Sequence, residues 1–230
     1  MSEARGHAAA PERESDIVDR VVSALEDDII FGRLRPRERL VEDALMERYR
    51  AKRHVVRQAL DRLAGLGIVE RERNKGCAVR DFAPSEVEEI YEIRGLLQNH
   101  AARRIPLPAS PALVEALTDL HIRHCAAVDA SDLRSVRHLN NQFHDTLFGG
   151  CGNGHLVEAI AHYAWLAHAI RSYRIGDPGL LAQARVEHAQ MIEALKTGDR
   201  EVLVRLCVEH ILPSKEAYLR AEAGRDLAHG

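Results

Sequence analysis

The chain has 230 residues, of which 46% are hydrophobic, 29% are charged and 4% are aromatic, and its formal net charge is −3. This length and balance allow a buried core and exclude a disordered, fibrous or low-complexity protein. The apolar runs fall short of the roughly 18–20 residues of a membrane-spanning helix, and the first residues lack the apolar core of a secretory signal. We therefore expect a cytoplasmic protein with no membrane partner. The four cysteines form no Cys-x-x-Cys pair, which agrees with free thiols in a reducing compartment.

The small net charge hides an uneven distribution along the chain. Residues 33–80 carry 14 lysines and arginines against 7 acidic residues, whereas residues 81–230 carry 15 against 20. The histidines are skewed the other way, because 11 of the 13 follow residue 80. A basic front and an acidic, histidine-rich rear predict two domains with different partners.

The front of the chain has the pattern of three helices followed by a β-hairpin. Apolar residues return at every fourth position of the first helix, at Ile17, Val21, Leu25 and Ile29. The hairpin turn is Arg73-Asn74-Lys75-Gly76, whose Asn and Gly suit positive φ angles. The helices are expected over residues 15–31, 41–48 and 53–66, and the strands over 68–72 and 77–80.

Basic residues occupy three places in this segment where DNA could be contacted. Arg53 and Arg57 are four residues apart, so they share one face near the start of the third helix, where a recognition helix meets base edges. Four arginines precede the second helix, and Lys75 and Gly76 lie at the hairpin tip, where a wing can approach the minor groove. The alternative is a solvated basic face on a small helical domain. The order of the elements, with basic residues at all three places, favours DNA binding.

These residues resemble the GntR family of bacterial transcription regulators over about residues 16–82. The matching stretches are Ile30-Phe31-Gly32-Arg33-Leu34-Arg35-Pro36-Arg37-Glu38-Arg39-Leu40, Val56-Arg57-Gln58-Ala59-Leu60-Asp61-Arg62-Leu63 and Gly65-Leu66-Gly67-Ile68-Val69. The resemblance implies a winged helix-turn-helix domain. It also implies DNA contacts by five residues, the last two of them in the wing: Arg39, Arg53, Arg57, Lys75 and Gly76.

Pro84 and Ser85 mark the boundary of the front domain, because proline ends a strand and serine can cap the helix that follows. Beyond them the pattern is helical throughout, which makes the chain mainly α and predicts an all-α helical bundle. The expected helices cover residues 85–105, 109–129, 132–150, 153–175, 178–197 and 199–223. The expected organisation is a flexible N-terminus (1–14), a winged helix-turn-helix domain (15–82), a helical domain (83–224) and a tail (225–230).

Histidines on several of the predicted rear helices could meet inside a bundle. Asn140 and His144 are four residues apart on one helix face, and His188 and His210 lie on later helices. Imidazole suits Zn, Ni, Cu or Fe, but any single histidine is more often structural or solvated than a metal ligand. A second histidine group, His121 and His124 beside Cys125, is interpreted as a helix surface.

Residues 85–223 resemble the all-α ligand-binding domain called FCD, found in the FadR-type branch of the same family. The matching marks are Ile93-Arg94 with Gln98, Phe143-His144, Gly152-Asn153, Glu187-His188, Gly198-Asp199 and Glu209-His210. The resemblance implies a divalent transition metal, Zn or Ni, bound by Asn140, His144, His188 and His210, and it places Arg94 near an effector pocket. Because all four ligands are neutral, the ion would keep its full charge and attract an anion. This favours a small carboxylate effector, the alternative being a purely structural metal.

Three functions are consistent with this sequence. The first is a homodimeric transcriptional repressor that binds a palindromic operator and is released by a small carboxylate. The second is a metal-dependent hydrolase using the histidine cluster, although no His-Glu-x-x-His or Gly-x-Ser-x-Gly motif is present. The third is a nonspecific architectural DNA binder, which leaves the helical rear without a role. We expect the first, and no enzymatic activity.

Overall fold

The computed structural model describes residues 13–72, 76–171 and 176–228. The expected flexible N-terminus therefore lies almost entirely outside the described residues. In chain order the elements are α1 (Glu14–Ile30), β1 (Arg39–Leu40), α2 (Glu42–Tyr49), α3 (Arg53–Gly65), β2 (Val69–Glu72), β3 (Gly76–Val79), α4 (Pro84–Arg104), α5 (Pro111–Asp129), α6 (Leu133–Gly149), α7 (Gly154–Arg171), α8 (Pro178–Thr197), α9 (Arg200–Glu209) and α10 (Leu212–Ala228).

The front domain is a winged helix-turn-helix, as the sequence predicted. Helices α1, α2 and α3 pack around a buried apolar core, and an antiparallel sheet in the order β1-β3-β2 forms the wing. Strand β1 was not predicted, because two residues carry no readable alternation. It pairs Arg39 with Ala78 and Leu40 with Cys77, and this pairing places the basic segment before α2 beside the wing.

The rear domain consists of α4 to α10, and it agrees with the predicted all-α bundle. The first turns of α6, α8 and α9 are capped by the side chains of Asp132, Asp177 and Asp199, which accept backbone N–H groups. The expectation of a single helix over 199–223 was wrong, because the chain breaks into α9 and α10 at residues 210–211. Pro213 explains the break, since proline has no N–H to continue the hydrogen-bond ladder. Helix α10 continues to Ala228, beyond the expected domain end at residue 224.

The two domains share one apolar core. Val87 and Tyr91 of α4, Ile170 of α7 and Tyr218 of α10 belong to the same buried cluster as the interior of the winged helix. The hydroxyl of Tyr218 donates a hydrogen bond to the carbonyl oxygen of Phe82, at 2.9 Å. The front domain is therefore docked against the helical domain along a packed surface, and the chain connection at residues 81–85 is one contact among several. Across the described ranges, no helix combines the length and apolarity needed to cross a lipid bilayer.

Candidate functional sites

The first candidate site is the exposed face of α3. Its apolar residues, which include Val56, Leu60 and Leu63, are buried against the rest of the front domain, so Arg53 and Arg57 face outward. Arg39, Arg53, Arg57 and Gly76 line one surface depression, as the proposed DNA contacts require. Lys75, the remaining predicted contact, lies outside the described residues.

Carboxylates at the start of α2 hold the two arginines of α3. Arg57 Nε lies 2.9 and 3.0 Å from the two carboxylate oxygens of Glu42, and this bond lowers the pKa of Glu42. Arg53 lies 2.5 Å from Asp43 and 3.4 Å from Glu42. The sequence interpretation missed these carboxylates. Since all four side chains contact solvent, the pairs are weak, and a phosphate or a base edge could replace the carboxylates.

The second candidate site is a group of three histidines brought together by α6, α8 and the end of α9. The possible ligand atoms of His144, His188 and His210 all lie within 4.8 Å of one another. His188 is completely buried, and neither of its ring nitrogens has a hydrogen-bond partner in the part of the chain that the structure describes. Asn140 is buried one turn before His144, and both residues line one cavity. The residues expected to bind metal are therefore close together, and their donor types suit a divalent transition metal.

Neighbouring side chains orient these histidines. The ring of Phe143 stacks on His188 with centroids 4.1 Å apart and an angle of 17°. A carboxylate oxygen of Glu187 lies 2.5 Å from Nδ1 of His210, leaving Nε2 as the donor atom that this contact does not occupy. Burial, followed by the proximity of His210 and His144, keeps the pKa of His188 well below its usual value. His188 is therefore a neutral imidazole, the form that binds metals.

His124 contradicts the interpretation of residues 121–125 as a helix surface. It is only 1% exposed, lines the cavity and lies 5.2 Å from His188 between ring centroids. Burial lowers its pKa to about 4, with smaller contributions from His121 and His210. Spacing could have revealed it, because His124 follows Leu117 by seven residues and precedes Ala127 by three, on the apolar stripe of α5.

His124, His144 and His210 line a cavity of about 180 Å³, and two arginines line it as well. Arg94, predicted to contact an effector, is 5% exposed and lies over the ring of Tyr91 at 4.6 Å. Its Nε and Nη1 find no hydrogen-bond partner among the described residues. Arg137, which the sequence interpretation missed, is also buried in the cavity wall. Apolar side chains, among them Ile160 and Leu181, also line the cavity. The cavity thus combines positive charge with an apolar surface of small-molecule size.

Two family models match the chain. The model described as bacterial regulatory proteins, gntR family, matches residues 17–79, and the FCD domain model matches residues 89–212. The two matches correspond to the winged helix-turn-helix and to most of the helical bundle. The helical cavity with its histidines and arginines lies in the FCD portion.

Bacterial regulators are similar to this chain over most of their length. The HTH-type transcriptional regulator YdhC of Bacillus subtilis (strain 168) is 25% identical over 190 residues, covering 81% of this chain and 84% of that protein. The HTH-type transcriptional repressor GlaR of Escherichia coli (strain K12) is 25% identical over 218 residues, covering 87% and 94%. The structure of Escherichia coli McbR/YncC has a similar fold, with a TM-score of 0.76 at 20% identity and coverage of 90% and 98%. The chain belongs to the GntR family, carries an FCD domain behind its winged helix-turn-helix, and is a transcriptional regulator rather than an enzyme.

Proposed function

We propose that this regulator is a repressor whose helical domain binds a divalent metal and a small carboxylate. The observation that carries the proposal is the fully buried imidazole of His188, whose two nitrogens have no hydrogen-bond partner among the described residues. It adjoins His144 and His210, which line a cavity that two buried arginines also line. A buried polar group without a partner is costly, so its persistence indicates a missing ligand.

The metal would be held by His144, His188 and His210, with Asn140 as a fourth donor. Three imidazoles favour zinc or nickel over calcium or magnesium, which prefer oxygen ligands. Glu187, through its contact with His210, would orient that ligand. When bound, the ion would supply a positive centre with room for a further ligand.

A carboxylate is the effector class that fits the charges of this cavity. The four proposed ligands are neutral, so none of them would offset the charge of the ion. Arg94 offers two buried N–H groups that have no hydrogen-bond partner among the described residues, a suitable anchor for a carboxylate. The apolar wall around Ile160 and Leu181 would contact the hydrocarbon part of the molecule. A small organic acid satisfies both kinds of surface.

The front domain would act on DNA as one half of a symmetric pair. We propose a cytoplasmic homodimer that binds a palindromic operator, because two copies related by a twofold axis read two half-sites. Repression agrees with the similarity to GlaR, a transcriptional repressor that this chain matches over 94% of its length. The carboxylate would then relieve repression by favouring a conformation with lower operator affinity.

Metal analysis of purified variants, together with thermal shifts, tests this function. Wild type, His188→Ala and a control, His155→Ala, are stripped with chelator and reloaded with Zn, Ni or Mn. The control histidine is 99% exposed, so its loss should change nothing. We expect bound metal in wild type and in the control, and a large loss of bound metal in His188→Ala. Without metal, His188→Ala and wild type should bind DNA with equal affinity. Equal metal content in all three proteins would remove His188 from the metal site, and wild-type protein without bound metal would remove the metal from the proposal.

The same protein samples test the effector class. Each is heated with acetate, succinate or benzoate, with and without zinc, because a ligand of the native state raises the melting temperature. A zinc-dependent shift with one acid supports the carboxylate. Metal stabilisation with no response to any acid would point instead to a structural ion.

A further inference from the structure

Three consecutive acidic residues of α1 are buried, and the first two of them face the helical domain. Glu26, Asp27 and Asp28 are 3%, 1% and 6% exposed, respectively, at the C-terminal end of the helix. Carboxylates are costly to bury unless a cation pairs with them. The cation for the first two comes from α6, so the contact joins the DNA-binding domain to the effector domain.

Arg137 of α6 makes this buried ion pair. Its Nη2 lies 2.8 Å from Asp27, and its Nη1 lies 3.8 Å from Glu26. The residue is itself 9% exposed, and its Nε has no hydrogen-bond partner within the described ranges. The guanidinium thus has bonding capacity left after both carboxylates have been contacted.

The same arginine lines the effector cavity. Arg137 lies three residues before Asn140 and seven before His144, so all three share the inner face of α6. One side chain therefore belongs both to the wall of the proposed binding site and to the interface with α1.

The third acidic residue extends this contact to the helix-turn-helix. Asp28 accepts a hydrogen bond of 2.6 Å from the hydroxyl of Tyr49 and pairs with Arg48 at 2.7 Å. Both partners lie at the end of α2, immediately before the recognition helix α3. The C-terminal end of α1 thus contacts the cavity wall through Arg137 and the DNA-reading unit through Asp28.

We propose that Arg137 is shared between the effector cavity and α1, and that an anion in the cavity competes with Asp27 and Glu26 for its guanidinium. The proposal rests on the proposed function, because it requires an anionic effector. Withdrawal of the guanidinium would leave two buried carboxylates without their buried cation, so the end of α1 would have to shift towards water. Through Asp28, this shift would reach α2 and α3 and lower the affinity for DNA.

Arg134 provides a matched control on the same helix. It pairs with the same carboxylate, at 3.1 Å from Asp27, but its side chain is 70% exposed and does not line the cavity. Removing it deletes an ion pair to α1 without touching the effector site. A difference between the two arginines therefore reports on the buried, cavity-lining position and not on charge alone.

Hydrogen exchange of α1 in the full chain tests the proposal. The variants are Arg137→Met and Arg134→Met, and the DNA is a duplex that the wild-type protein selects from a random library. For Arg137→Met we expect faster exchange over residues 18–30 and a loss of DNA affinity of roughly 5- to 150-fold, the range of typical allosteric couplings. For Arg134→Met we expect a change below about fivefold, as for an exposed ion pair. The proposal would be overturned if α1 of Arg137→Met exchanged at the wild-type rate, or if the two variants had equal effects on exchange and DNA affinity.

A double variant keeps the test informative if Arg137→Met does not fold. Arg137→Met combined with Asp27→Asn removes the buried cation together with the charge nearest to it, so less uncompensated charge is left in the interface. An increase in α1 exchange over wild type is still expected, because Arg137 no longer joins α6 to α1 and Glu26 remains without its cation. Exchange at the wild-type rate would count against the proposal.

Hydrogen exchange measured with added organic acids separates this inference from the proposed function. Wild type and Arg137→Met are measured with zinc alone and with zinc plus acetate, succinate or benzoate. An acid that binds should accelerate α1 exchange in wild type and not further in Arg137→Met. An acid that binds without changing α1 exchange would overturn the competition and leave the carboxylate effector intact. If no acid binds, the effector class is wrong, whereas the comparison of the arginine variants still decides whether Arg137 holds α1.

Discussion

Glu26→Gln should make the protein more stable than wild type at alkaline pH. Glu26 lies in the interface between α1 and α6, where burial raises its pKa from 4.5 to about 7 despite the opposing charge of Arg137. The adjacent Asp27 raises this pKa further. Glutamine has nearly the shape of the protonated acid but cannot ionise, so the substitution removes the titration and keeps the packing.

The sign and size of the effect follow from the raised pKa. Because the folded protein holds the proton more tightly than the unfolded chain, the contribution of Glu26 to stability is fully present below pH 4.5 and is lost as the pH rises towards 7. A shift from 4.5 to about 7 corresponds to about 3 kcal/mol in full, of which about 2.5 kcal/mol falls between pH 5 and pH 8. Relative to wild type, Glu26→Gln should gain this amount over the same range.

Urea unfolding followed by circular dichroism measures this difference. Wild type and variant are unfolded at pH 5, 6, 7 and 8, and the difference in unfolding free energy is plotted against pH, since all other titrations are common to both. The control is Glu216→Gln on α10. The Glu216 side chain is 59% exposed, so the difference in unfolding free energy from wild type should not change with pH. If the difference for Glu26→Gln were also independent of pH, the reasoning from burial would be refuted.

Three further substitutions test other parts of the structure. Arg57→Ala should weaken binding to the selected duplex by roughly 1–3 kcal/mol, and by less on random DNA, if the guanidinium reads a base. An equal loss on both DNAs would make it a phosphate contact. Gly67→Ala should lower stability by at least about 1–2 kcal/mol, because its φ is +73° and an added Cβ would lie 2.6 Å from Leu166. An unchanged urea midpoint would contradict this. Phe143→Ala should lower the unfolding free energy by roughly 3–5 kcal/mol, because its buried ring stacks on His188. A calorimetric melting temperature equal to that of wild type would be incompatible with that packing.

The sequence by itself determined the order of elements and the main polar residues of the helical domain. The period of the apolar residues gave α1 and α3, and the turn residues at 73–76 indicated the wing. The i, i+4 spacing of Asn140 and His144 placed both on one helix face, and family resemblance added His188 and His210. These inferences succeed because they depend on local periodicity or on a spaced pattern, both of which are present in the chain before it folds.

Only the tertiary structure decided which residues complete the two sites. Glu42 and Asp43 meet the arginines of α3 because of the angle between α2 and α3. His124 enters the cavity because the face of α5 that carries it packs towards α8.

The contact of Arg137 with Glu26 and Asp27 joins residues about 110 positions apart, across an interface between two domains. Read alone, the run Glu26-Asp27-Asp28 is typical of a solvated helix end, and Arg137 of a surface helix. The burial of Glu26, Asp27 and Arg137 follows from how the front domain docks on the bundle, because the cost of removing each charge from water is offset only when the opposite charge arrives from the other domain.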